Sequence, residues 1–229
     1  MSCPRRGPSL ADLSREPVVV IGLGRFGSSL ALELTRHGTE VLAIDNRSKV
    51  VQSLAGQLTH TVTADCTDLE ALRQLGVPDF SRAVVAIGSD IESSILVTSL
   101  LTELEIENIW AKAISIQHGR ILDRIGAHHV VFPEHDMGER VAHLVSGRML
   151  DYIELDPAHA LVKVSPPREL VGVPLREARV RSRHDVTVVA VQPSGGEFTY
   201  TTPETVLAYG DVILILGSID KVERFADLP

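Results

Sequence analysis

The run Gly22-Leu23-Gly24-Arg25-Phe26-Gly27 is where this sequence first offers chemistry. Glycines at that spacing let a backbone turn present free N–H groups, and the oxygens of a phosphate are what such groups hold. Gly22 suits the tight turn, Gly24 allows close approach of a phosphate to the backbone, and Gly27 lets helix and strand pack closely. Taken alone the motif is weak. Its setting strengthens it, because Pro17-Val18-Val19-Val20-Ile21 runs into the turn as a strand and Ser28 to Leu34 continues with helical character. Asp45 then ends the apolar run Val41-Leu42-Ala43-Ile44. That is about 20 residues on, where an acid that binds ribose hydroxyls belongs.

Other residues carry a sharp reading and a plain one. Arg25 inside the turn offers charge-assisted hydrogen bonds to a polyphosphate, or is simply an exposed arginine. Lys112 ends a strand at the ligand-binding edge, or is solvated there. Asp45 also reads as a helix cap, with Asn46 and Ser48 behind it. Glu134-His135-Asp136, with His128-His129 and His143, lacks zinc spacing. Glu134 is an oxygen ligand suited to a hard cation. Cys66 has neither a paired cysteine nor an activating base nearby, and reads as a packed thiol.

The elements that position these residues alternate. Helix Lys49–Gln57 and strand Thr61–Thr63 follow Asp45. Thr67 or Asp68 caps a helix over Leu69–Leu75. Strand Arg82–Gly88, a helix from Asp90 through Glu103, strand Ile109–Ala113, helix His118–Ile125 and strand His129–Phe132 complete the series. Strands alternating with helices in this way predict a doubly wound parallel Rossmann sheet. After Pro133 the pattern changes. Met137–Leu150 reads as an amphipathic helix with Val141, Leu144, Val145 and Leu150 on one side. Short strands follow over Tyr152–Leu155, Ala160–Val164, Val186–Val191 and Val212–Leu216, with short helices over Leu175–Val180 and Ile219–Ala226. The fold class expected is therefore α/β, with a smaller α+β C-terminal domain. Its parts are a disordered tail over 1–16, a nucleotide-binding domain over 17–134, a crossover helix over 135–150 and a ligand-binding domain over 151–229.

Composition bounds the function. At 229 residues, 44% hydrophobic and 23% charged, the chain is an ordinary globular one. A net charge of −8 argues against nucleic acid as a partner. Two cysteines, Cys3 and Cys66, give no disulfide framework. No apolar run approaches the roughly 20 residues of a membrane helix, and Met1–Glu16 lacks the apolar core of a secretory signal. A cytoplasmic protein is the simplest reading.

With both domains in view, the chain resembles the RCK (regulator of K⁺ conductance) proteins, specifically the Ktr/Trk-type potassium-uptake regulators. The resemblance is carried by Val20 to Gly27, Val41 to Asp45, Val85-Ala86-Ile87-Gly88, Asn108 to Ala113, Ile125-Gly126-Ala127 and Pro133 to Gly138, and by Thr202 to Gly217 at the C-terminus. One N-domain plus one C-domain matches the single-unit Ktr form. The resemblance implies a regulatory subunit, not an enzyme, that binds ATP or ADP. It sits in the cytoplasm against the membrane and gates a membrane-embedded potassium-translocating subunit. Self-association into dimers and an octameric ring is implied with it. Carried over by position, Gly22, Gly24, Phe26 and Gly27 surround the phosphates, Asp45 the ribose, and Asp65 and Cys66 the adenine. Ala86 and Gly88 complete the nucleotide site, Arg25 and Lys112 sense the terminal phosphate, and Glu134 helps place a cation, Mg²⁺ or Na⁺. Such C-domains bind cyclic di-AMP, here near Arg181, Thr187, Val188 and Pro203. The competing readings are an NAD(H)-dependent dehydrogenase and an NADH-sensing regulator.

Overall fold

The computed structural model describes residues 16–146 and 149–229. The chain forms two compact units, one ending at Glu134 and the other beginning at His135. Of the tail expected over 1–16, only Glu16 falls among the described residues.

The first unit is a six-stranded parallel sheet in the order β3-β2-β1-β4-β5-β6. The strands are β1 (Val18–Ile21), β2 (Val41–Asp45), β3 (His60–Thr63), β4 (Arg82–Val85), β5 (Asn108–Lys112) and β6 (His129–Val131). Between them run α1 (Arg25–Arg36), α2 (Ser48–Leu54), α3 (Leu69–Gln74), α4 (Ile91–Glu103) and α5 (Ile116–Arg124). Every residue of β1 is buried, because a central parallel strand is covered on both faces. Its side chains alternate. Val19 and Ile21 join Leu72, Val97, Leu101 and Leu122 in one core, whereas Val18 and Val20 join Ala31, Val51 and Leu54 in another. Strand order reverses at β1, and ligands of such sheets bind at that switch point. Register brings the strand ends level there, with Ile21 beside both Ile44 and Val85. Gly22, Asp45 and Ala86 therefore meet at one edge.

Helix starts follow the capping rule. Asp68, rather than Thr67, accepts from the Glu70 amide at 2.9 Å, and Asp90 accepts from the Ser93 amide at 3.1 Å. On β5, Trp110 is 40% exposed and stacks on His129 of β6, ring centroids 4.1 Å apart.

Helix α6 (Pro133–Ser146) begins earlier than the sequence suggests, since proline is well suited to a first helical position. Leu150 is not on that helix. It lies in strand β7 (Met149–Asp156), where Met149 and Tyr152 are buried and Leu150 faces out. The second unit is a five-stranded antiparallel sheet in the order β10-β9-β11-β8-β7. Its other strands are β8 (His159–Val164), β9 (Val186–Gln192), β10 (Thr199–Tyr200) and β11 (Val212–Ser218). The expected helix Leu175–Val180 is broken, because Arg179 takes φ 51° and divides α7 (Leu175–Ala178) from α8 (Val180–His184). Val222 and Phe225 of α9 (Ile219–Ala226) pack with Val162, Val164, Ile213 and Ile215. Among the described residues no helix is long and apolar enough to cross a membrane.

Candidate functional site

A cleft of about 710 Å³ opens at the C-terminal ends of the parallel strands. The three motif glycines serve it in three ways. Gly22 holds φ +93°, and a Cβ there would stand 2.9 Å from Ile87 Cγ1. Gly27 sits beneath the turn, where a Cβ would fall 1.9 Å from the Gly22 carbonyl oxygen and 3.0 Å from Ala86 Cβ. This is the close packing of helix on strand. Gly24 is different, for a Cβ there would meet nothing within 4 Å. No protein atom among the described residues requires glycine at that position; it faces open cleft. Gly24 is also the cap residue of α1, with extended backbone and no side-chain capping bond. The positive end of α1 thus opens onto the cleft without a competing acceptor from its own cap. The residues present fit a bound phosphate.

Around that helix end, Arg25 is exposed, Phe26 lines the cleft and Lys112 is 8% exposed. Lys112 is not a solvated lysine. Its Nζ donates to Glu134 Oε1 at 2.6 Å and stands 5.8 Å from the Phe26 ring centroid. Gly88 makes room for it, since a Cβ there would lie 3.0 Å from Lys112 Nζ. The hydrogen bond from Lys112 outweighs the opposing effect of burial and, with the charges of Lys112 and Arg25 nearby, holds the Glu134 carboxyl below its ordinary value. Glu134 is, among the described residues, the acid at this end of the cleft that touches the lysine. Among the described residues no three His, Cys, Asp or Glu gather as a metal cluster. A cation held at Glu134 would draw its other oxygens from phosphates.

At the opposite end, Asp45 is 5% exposed. Its Oδ2 accepts from the Leu23 amide at 2.7 Å and from Arg47 Nη2 at 2.9 Å. Its Oδ1 accepts from the Arg47 amide and from Arg47 Nε, both at 2.9 Å. Burial pushes this carboxyl up, but the bonds from Arg47 and Leu23 outweigh it and leave the group below its usual value. Asp45 is therefore a member of a structural ion pair, not a free helix cap. Asp65, exposed beside it, accepts from the Thr67 amide and hydroxyl at 3.0 and 2.7 Å. Burial, with Asp65 and Asp45 nearby, pushes the Cys66 thiol up to about 12, so it is a packed thiol at neutral pH.

One cleft thus gathers Gly22, Gly24, Arg25, Phe26, Asp45, Asp65, Cys66, Ala86, Gly88, Lys112 and Glu134, with Gly27 as the support beneath. Sequence reasoning missed Arg47, Thr67, Ser89, Asp90 and Ser93, which also line it. For Arg47 the available signal was a basic residue just past the acid that ends β2. Among the described residues the lining carries three cations and four acids, so local donors rather than net charge would have to hold an anion here. It includes no histidine among the described residues. Arg181, Thr187, Val188 and Pro203 belong to the second unit. Arg181 Nε donates to the Thr187 hydroxyl at 3.2 Å, and Thr201, near Pro203, donates to the Val188 carbonyl at 2.7 Å.

Residues 18–133 match the TrkA-N domain and residues 159–229 the TrkA-C domain. Over 212 residues the chain is 36% identical to Ktr system potassium uptake protein C of Bacillus subtilis, covering 92% of this chain and 96% of that one. It is also 36% identical to Ktr system potassium uptake protein A of the same bacterium, covering 94% and 98%. Among solved structures, the GsuK RCK domain superposes with a TM-score of 0.65 at 19% identity. That superposition covers 98% of this chain but 51% of the other, so the chain spans about half the length of that protein. Two matched domains in order, and relatives that align along nearly their whole length, establish that the chain belongs to the TrkA-N/TrkA-C family, with the Ktr system potassium uptake proteins among its relatives.

Proposed function

We propose that this protein is a cytoplasmic regulatory subunit of a potassium-uptake system, which binds ATP or ADP in the first unit and gates a membrane-embedded potassium-translocating partner. The observation that carries the reading is Gly24, whose missing side chain faces open cleft at the uncapped positive end of α1. The names of its Ktr relatives supply the biological setting. ATP and ADP differ by one phosphoryl group, so only contacts to that group can favour one conformation of the assembly over another. Arg25 and Lys112 are the cations at the phosphate end. Shifting a two-state equilibrium from 1:99 to 99:1 takes about 5.5 kcal/mol of differential binding. Shared over an octameric ring, that is under about 1 kcal/mol per site. A single charge-assisted hydrogen bond, about 1.5–3 kcal/mol, suffices.

The Lys112–Glu134 pair gives this a local form. A terminal phosphate competes with Glu134 for Lys112; Glu134 is the residue that would hold a Mg²⁺ or Na⁺ ion, which would supply neutralising charge to the phosphate. The second unit would take cyclic di-AMP near Arg181, Thr187, Val188 and Pro203. Hydride transfer finds less support, because the lining offers no histidine among the described residues and the Cys66 thiol stays protonated. Calorimetric titration of the full chain with ATP, ADP, NAD⁺ and NADH tests the reading. Tight ATP and ADP with weak NAD(H) supports it; a preference for NADH replaces it with a redox sensor.

A further inference from the structure

We propose that Arg47 is a specificity-determining residue: it occupies the carboxylate that would otherwise read the ribose hydroxyls, and so makes this nucleotide site blind to the sugar. The inference rests on the nucleotide reading above and deepens it.

A carboxylate offers roughly four lone-pair directions to donors. At Asp45 four N–H donors already approach within hydrogen-bond distance: the amides of Leu23 and Arg47, and Nε and Nη2 of Arg47. An acid that discriminates ribose must accept from the 2′- and 3′-hydroxyls. Here it has no direction left for them. The guanidinium meets the carboxylate in the planar two-point arrangement that lysine cannot reproduce. The carboxylate is almost wholly enclosed, with its side chain 4% exposed, while that of Arg47 is 58% exposed and Arg47 lines the cleft. What a sugar meets at this wall is therefore the outer edge of a guanidinium, a set of donors. Ribose hydroxyls find an acceptor at Asp45 only if that pair is dismantled. Recognition is left to the phosphate end, at Gly24, Arg25 and Lys112, and this suits a site whose task is to count phosphates.

The test is a comparison of ADP with 2′-deoxy-ADP by calorimetry on the full chain, in wild type and in Arg47→Ala and Arg47→Lys. Wild type is expected to bind the two within about twofold. Arg47→Ala exposes Asp45 and is expected to prefer ADP by about tenfold, the value of one hydrogen bond to a charged group. Arg47→Lys, which loses the two-point pairing, is expected to fall between. A mere loss of structural support would weaken both nucleotides alike and leave the ratio unmoved. A tenfold preference for ADP already in wild type overturns the inference, as does an unchanged ratio in both variants. If neither nucleotide binds wild type, the nucleotide reading itself has failed and this inference with it. If both bind and only the ratio disagrees, the nucleotide reading stands.

Discussion

Glycine is the least informative residue by chemistry and the most informative here by position. Gly24 and Gly27 lie three residues apart in one motif, yet their neighbourhoods make opposite demands. Alanine at Gly27 would drive a methyl into the Gly22 carbonyl, an overpacking expected to cost about 1–3 kcal/mol. Alanine at Gly24 points into open cleft and should leave the denaturant midpoint near wild type while weakening ADP. Denaturant melts and calorimetry on the two variants read this directly, and a matching loss of stability in both would argue that Gly24 is structural. Arg25 has a separate role. Arg25→Ala is expected to keep adenine nucleotide binding and lose the preference for ATP over ADP; an unchanged preference in a competition titration removes Arg25 from the switch. These residues were legible in the sequence because a glycine motif is local chemistry. Arg47 was not, since its importance comes from the turn after β2 folding its side chain back onto Asp45, and an i+2 spacing has no periodic signature.

At the scale of elements, strands buried on both faces and helices opened by Asp68 or Asp90 were readable from apolar runs and caps. The failures share a cause. Leu150 suits both the apolar stripe of α6 and the outer face of β7, and pairing of Met149 with Val164 decides between them. The split at Arg179 depends on a left-handed backbone that sequence does not announce for arginine. The two residues of β10 are too short for any period. One buried element also titrates. His118 of α5 is 2% exposed, its Nδ1 accepts from the Ile114 amide at 3.4 Å, and burial depresses it below its ordinary 6.5. A depressed basic group binds fewer protons folded than unfolded, so its contribution is complete above about pH 6.5 and declines as pH falls below it. His118→Gln should flatten that part of the stability–pH curve, measured by urea melts from pH 7.5 to 5; an unaltered slope would mean His118 charges freely in the fold.

For the whole molecule, each unit has its own core, and the described residues that line the candidate cleft all belong to the first. A ligand that binds only the folded form at a hundredfold excess over its Kd adds about 2.7 kcal/mol. ADP should therefore raise the melting midpoint of the unit ending at Glu134, in proportion to the logarithm of its concentration. A midpoint indifferent to ADP would deny the cleft its ligand. The architecture of parallel sheet followed by antiparallel sheet was legible because the rhythm of strand and helix changes after Pro133, whereas the match of both domains along the chain was what tied that architecture to a family. The chain also carries its own optical probe. Its single tryptophan, Trp110, stands two residues before Lys112 on β5 and is stacked on His129. Indole emission is sensitive to the geometry and charge of a ring stacked on it. Trp110 and Lys112 lie on the same face of β5, so a nucleotide that draws Lys112 away from Glu134 is expected to change the indole's surroundings, and unlabelled protein in a cuvette would then report its own occupancy in real time.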